Sequence, residues 1–268
     1  MIPGLTSEAE ARLLRQLHPD VTDVTQATFA ARNCTLLDGD GEARRLGIEV
    51  SGPGQPVIVV TDPDRPVGRV RMHAAGRDAL LFIDNAGGCA IHADIRILGD
   101  DSVVFFNTTG GGHVGLPTVF LRSHGQFLFW GRMATAVELS IEVEGEDHGV
   151  VIGDDALIAD GVWIRNHDMH AMHDLASGRL LSRPPVTTVI ERHVWLGQGA
   201  LLLSCERVGT GAIVGARSVV KGTLPRCVAA VGAPARIVRE GVSWGRDVHG
   251  MSAAERGSVG CPAAPVGR

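Results

Sequence analysis

Residues 190–225 read IERHVWLGQGALLLSCERVGTGAIVGARSVVKGTLP, and an aliphatic residue returns at every sixth position: Ile190, Leu196, Leu202, Val208, Val214 and Val220. The same step fits Ile152, Ile158 and Ile164 upstream. Ile, Leu and Val make up about a quarter of the chain, so nine hits in phase would arise by chance at roughly four in a million per phase tried. A repeat this short cannot bury its apolar residue alone; it has to stack on copies of itself.

Four residues after each aliphatic stands a small side chain or a valine in six of nine cases, among them Ala156, Val162, Ala200, Ala212 and Ser218. One residue after come Gly153, Gly197, Gly209 and Gly215, suited to tight corners. Three six-residue sides close a coil of 18, which predicts an all-β parallel solenoid with coils at 152–169, 190–207 and 208–225. The residues between the first two, 170–189, must project as a loop, and a loop that long in a compact solenoid points to function.

Composition agrees with this class. Gly accounts for 35 of 268 residues, aromatics for 4%, and Tyr is absent. Lys and Arg number 25 against 30 Asp and Glu, and the net charge of −5 argues against a nucleic-acid surface as the main business. No stretch approaches the ~18 apolar residues of a membrane span, and MIPGLTSEAEARLLRQL has neither a basic start nor an apolar core, so a cytoplasmic protein without a membrane partner is expected. Cys34, Cys89, Cys205, Cys227 and Cys261 form no CxxC pair and are odd in number, so reduced thiols are the simpler expectation.

Outside the repeat, residues 7–17 predict a short helix capped by Thr6 or Ser7 and ended by His18-Pro19. Residues 22–75 are β-biased without phase; Ile91, Ile97 and Val103 regain the six-step. The expected division is 1–79 for the helix and irregular β segment, 80–239 for the solenoid with its loop 170–189, and 240–268 for a disordered tail.

The ordered strings NHDMHAMHD at 166–174, SGRLL at 177–181, IERHVWLGQGALLL at 190–203, VGTGAIVGARSVV at 208–220 and VGAPARIVR at 231–239 resemble the hexapeptide-repeat acyltransferases, in particular their polysaccharide and sugar O-acetyltransferase branch. The resemblance implies a left-handed β-helix, a trimer, acetyl-CoA or another acyl-CoA as co-substrate, and transfer to a hydroxyl of a sugar or related small molecule. It departs in one place. Lys221 directly follows the paired valines and Gly222 takes the position where the family carries its lysine, so no phosphate contact is expected from Lys221.

Acyl transfer to an alcohol needs a base, because a hydroxyl is a poor nucleophile while it keeps its proton. An imidazole with a pKa near ~6.5 is suited to the task, and the resemblance places the catalytic histidine at His170. Asp168 or Asp174 would fix its tautomer; Asp168, four beyond Ile164, falls at an inward step of the repeat. His167 and His173 read as substrate contacts or bystanders. The resemblance puts Trp195 at the acceptor and donor pocket and runs CoA along Ala200, Ser218 and Arg236, while the N–H groups near Gly197 could hold an oxyanion. No metal is expected, although His148, His167, His170 and His173 admit a zinc reading like that of β-helical carbonic anhydrases. A non-catalytic scaffold is the third reading.

Overall fold

A computed structural model describes residues 7–23, 34–108 and 110–260. The chain winds as a left-handed parallel β-helix. The six-step residues stack in register on its three sides. Ile152 pairs with Ile190, Ile190 with Val208, and Val208 with Leu224 on the first side. Ile158, Leu196, Val214 and Ala230 form the ladder of the second, and Ile164, Leu202 and Val220 that of the third. All of these are buried and belong to one continuous inner core. Gly197 stands at a corner where a Cβ would lie 2.7 Å from the Ala216 nitrogen of the next coil, so only glycine lets the two coils approach.

The solenoid begins at Ile48–Ser51, not near residue 80, because the parallel ladder already runs from there to Gly68–Ala74 and on to Cys89–Ile97. The sequence period hides these coils because they are longer. Val70 stacks on Ile48 and Ala93 on Val70, spacings of 22 and 23 residues, against 18 from Ile190 to Val208. Ile91 and Ile97 face the inner core as the six-step requires. Val103 instead points outward, into a second cluster with Phe82, Phe105, Phe127 and Phe129. Leu13 of the expected helix, observed at Ser7–Gln16, and Val21 cover that cluster. The proposed Thr6 cap lies outside the described residues.

An antiparallel strand flanks the ladder at each end, Thr35–Leu36 on Val57–Val60 and Arg236–Glu240 on Val228–Val231. The tail reading is corrected as far as residue 260. Trp244 stacks on the buried His193 ring at 4.2 Å and donates its indole N–H to the His193 carbonyl, while Arg246 pairs with Asp155. The helix Ala253–Val259 then opens on a Ser252/Glu255 capping box. Residues 261–268, with Cys261, lie outside the described residues. Cys227 is disulfide-bonded, against the expectation of reduced thiols, while Cys205 is a free thiol. Burial pushes the Cys205 thiol up to about 12. Among the described residues no helix is long and apolar enough to cross a membrane.

Candidate active site

Strand Val162–Arg165 turns its Val162 and Ile164 side chains inward, and the next residue in that alternation is Asn166. Here the chain leaves the solenoid. The buried Asn166 amide accepts a hydrogen bond from the Glu144 N–H at 2.8 Å and donates to the carbonyls of Glu144 and Val186, both at 2.9 Å. One side chain therefore fastens the outgoing and returning ends of the loop to the neighbouring coil. Sequence reasoning passed it over, although a polar residue continuing an inward alternation at the root of an insertion is a readable sign.

The loop re-enters at strand Thr188–Ile190. Within it, the Asp174 carboxylate accepts hydrogen bonds from the Ser177 hydroxyl (2.6 Å) and N–H (2.7 Å), which hold it below the usual carboxylate range. A bridge between His173 and Leu180 closes the turn. Between loop and coil lies a cleft of about 460 Å³, lined by Glu144, His167, Asp168, His170, Leu180 and Ser182 among others.

His170 is exposed in this cleft and its ring engages no partner among the described residues; its backbone N–H bonds the Asp168 carbonyl at 2.7 Å. Neither flanking carboxylate reaches the imidazole. Asp168 lies 3.9 Å from Lys221, and Asp174 is spent on Ser177. The cause is the backbone between them, because Met169 sits in the left-handed region at φ 61 and turns the chain sharply. Asp168 is also partly exposed rather than inward, since the coil ends at Arg165. Glu144 is a second carboxylate that shares the cleft with His170, and it went unnoticed because it comes from the preceding coil.

His167 is buried. Its Nδ1 accepts the Met169 N–H at 2.9 Å, and its Nε2 is buried with no hydrogen-bond partner. Desolvation lowers its pKa against the opposing pull of Glu144 and Glu142, with Arg122 and Arg165 adding to the decrease. Burial likewise lowers the pKa of His148, whose ring lies 3.4 Å from the Thr187 hydroxyl. His148, His167, His170 and His173 do not converge, and no group of three metal-ligating side chains occurs among the described residues.

The other expected site residues stand apart from the cleft. Trp195, 38% exposed, lies on the second side between Leu157 and Ile213. The Gly197 N–H is spent on the Val214 carbonyl at 2.8 Å, and the Ala200 N–H on the Gly197 carbonyl at 3.1 Å. The Ser218 hydroxyl is buried and accepts the Gly232 N–H. Arg236 is exposed, and among the described residues its side chain donates one hydrogen bond, to the adjacent Ala235 carbonyl at 3.1 Å.

No family model matches the chain. It is 33% identical over 97 residues to the galactoside O-acetyltransferase of Escherichia coli K12, covering 35% of this chain and 46% of that protein. It is 34% identical over 113 residues to the polysialic acid O-acetyltransferase of Neisseria meningitidis, 42% of this chain and 51% of that one. The chain thus spans about half the length of the curated relatives it matches. In fold it is similar to the polySia-specific acetyltransferase NeuO, with a TM-score of 0.63 and 21% identity over 78% of this chain and 94% of that one. The sequence similarity is to O-acetyltransferases, and the structural similarity is one of fold.

Proposed function

We propose that this chain is an O-acyltransferase that moves an acetyl or other small acyl group from acyl-CoA to a hydroxyl of a sugar or glycan, with His170 as general base. The observation that carries the reading is the unengaged His170 imidazole in a cleft whose loop is anchored through Asn166. The O-acetyltransferase relatives support the reaction class and an acceptor of sugar type.

The acceptor hydroxyl oxygen adds to the thioester carbonyl carbon while its proton passes to His170. The tetrahedral centre then collapses; the new C–O bond stays, the C–S bond breaks, and the imidazolium returns the proton to the departing CoA thiolate. Exposure of His170 gives the acceptor direct access to the base. Asp168 acts through its ion pair with Lys221, which ties the loop to a later coil, and Asp174 by shaping the turn. The test is release of free thiol from acetyl-CoA that depends on a sugar acceptor, with the acetyl ester located on the product by mass spectrometry. Absence of acceptor-dependent release across acyl-CoAs and sugars overturns the reading. An acyl-CoA donor fits the cytoplasmic setting expected from the sequence.

Of the residues expected to hold CoA, Arg236 retains free donors, and we assign its guanidinium to the nucleotide phosphates. Gly197, Ala200 and Ser218 contribute shape, not hydrogen bonds. Arg236→Ala should raise the KM for acyl-CoA roughly ten- to a hundredfold with kcat little changed. An unchanged KM, or an equal loss with a donor lacking the nucleotide phosphates, removes Arg236 from the site.

The second side carries Val137, Trp195 and Val231 exposed, an apolar strip that association would cover. We propose a homotrimer, in which Trp195 would reach the cleft of a neighbouring copy. Light scattering at micromolar concentration should give three times the chain mass; a monodisperse monomer overturns the assembly.

A further inference from the structure

We propose that His167 is a second catalytic residue, a neutral hydrogen-bond donor whose Nε2–H holds the thioester carbonyl oxygen as it becomes an oxyanion. The role rests on the acyl-transfer reading above.

The tautomer follows from one contact. The Met169 N–H can only donate, so His167 Nδ1, at 2.9 Å, must be the unprotonated nitrogen, and the ring proton of the neutral imidazole belongs on Nε2. That nitrogen is buried, and it has no acceptor among the described residues. A buried N–H without a partner is costly, and native structures keep one where another function uses it.

His167 is 7% exposed and lines the same cleft as His170. The charged groups around it are Glu142 and Glu144, which favour the imidazolium, and Arg122 and Arg165, which oppose it; desolvation outweighs the carboxylates and favours the neutral ring. A neutral imidazole whose acceptor nitrogen is already engaged cannot serve as a base, which separates it from His170.

An oxyanion needs such a donor, and the Gly197 N–H is committed to the Val214 carbonyl. When the acceptor oxygen adds to the carbonyl carbon, the C=O π electrons move onto oxygen, and the Nε2–H bond to that oxygen strengthens as the charge grows. Collapse expels the thiolate and restores the carbonyl. His167 keeps its proton throughout. The hydrogen bond that sets the tautomer also binds the turn at Met169, three residues before which and one after which stand Asn166 and His170, so the donor and the base share one rigid turn.

Two substitutions separate this role from a merely structural one. His167→Asn retains an acceptor where Nδ1 stood and loses the distal donor; His167→Gln reaches the distal position with an amide N–H and loses the proximal acceptor. In the full chain, His167→Asn should lower kcat about 100- to 1,000-fold with the acyl-CoA KM within about threefold, and His167→Gln should retain at least about a tenth of wild-type turnover. The inference is overturned by an Asn variant that keeps more than about a third of wild-type kcat, or by a Gln variant that falls as far as Asn. Should either variant fail to fold, ¹⁵N imidazole NMR of the wild-type protein decides: the Nε2–H tautomer is expected between about pH 6 and 8, and the Nδ1–H tautomer overturns the role. Wild-type protein without acceptor-dependent thiol release defeats the acyl-transfer reading itself, a result distinct from an active wild type with an active Asn variant.

Discussion

Replacement of His170 by alanine is expected to remove at least two to three orders of magnitude of acyl transfer, about the range for losing a general base, while the fold survives. The side chain is exposed and engages no partner, so its loss opens no cavity and leaves no buried group unpaired. The loop keeps its form because other residues hold it: Asn166 at its root, Asp174 and Ser177 in its turn, and Ser182, whose hydroxyl accepts the Met172 N–H at 2.7 Å. His173 does not line the cleft, and its Nδ1 lies 3.4 Å from the Gly178 carbonyl oxygen. Thiol release at matched circular dichroism measures the effect. More than a tenth of wild-type turnover in the variant would place the base elsewhere.

The largest expected effect on stability comes from Phe105→Ala. The Phe105 ring lies between Phe82, at 4.4 Å and 5° from parallel, and Phe129, at 5.4 Å and 13°, so three successive coils stack one aromatic column on the outer face of the first side. Leu13 and Val21 lie in the same cluster. Removing the ring leaves a void bounded by two coils that cannot approach, because their backbones are fixed by the parallel ladder. Truncation of a fully buried phenylalanine costs about 3–5 kcal/mol, which is a large share of the stability of an ordinary domain. Because each coil touches only its neighbours, unfolding of the variant should begin at the N-terminal coils and not at the loop. Urea denaturation read by fluorescence and by hydrogen exchange measures both; a loss below about 1.5 kcal/mol would mean that the outer face adds little to the solenoid.

How legible the fold was depended on coil length. From Ile190 to Val220 every side is six residues long, so the inward positions recur at a fixed step, and Ile190, Leu196, Leu202 and Val208 could be read from the chain alone. In the first coils, spacings of 22 and 23 residues still stack Ile48, Val70 and Ala93, but such spacings leave no multiple of six to find. Val103 shows the limit from the other side. It falls in step and yet faces outward, because the strand Val103–Asn107 is buried on both faces and its alternation reverses the assignment.

The sequence by itself determined what is local: a parallel solenoid from the six-step, the short N-terminal helix ahead of His18-Pro19, and the projecting loop from the break in the repeat. The tertiary structure alone decided what depends on groups far apart in the chain. It brought Glu144 into the cleft, turned Asp168 toward Lys221, spent the Gly197 N–H on Val214, and folded Trp244 back onto His193. It also set the tautomer of His167 through a backbone N–H two residues away, presented there by a left-handed Met169. The reason is physical. Periodicity is written into each coil by its own burial, whereas a hydrogen bond is assigned only when the partners meet, and in a solenoid the partners meet one coil apart.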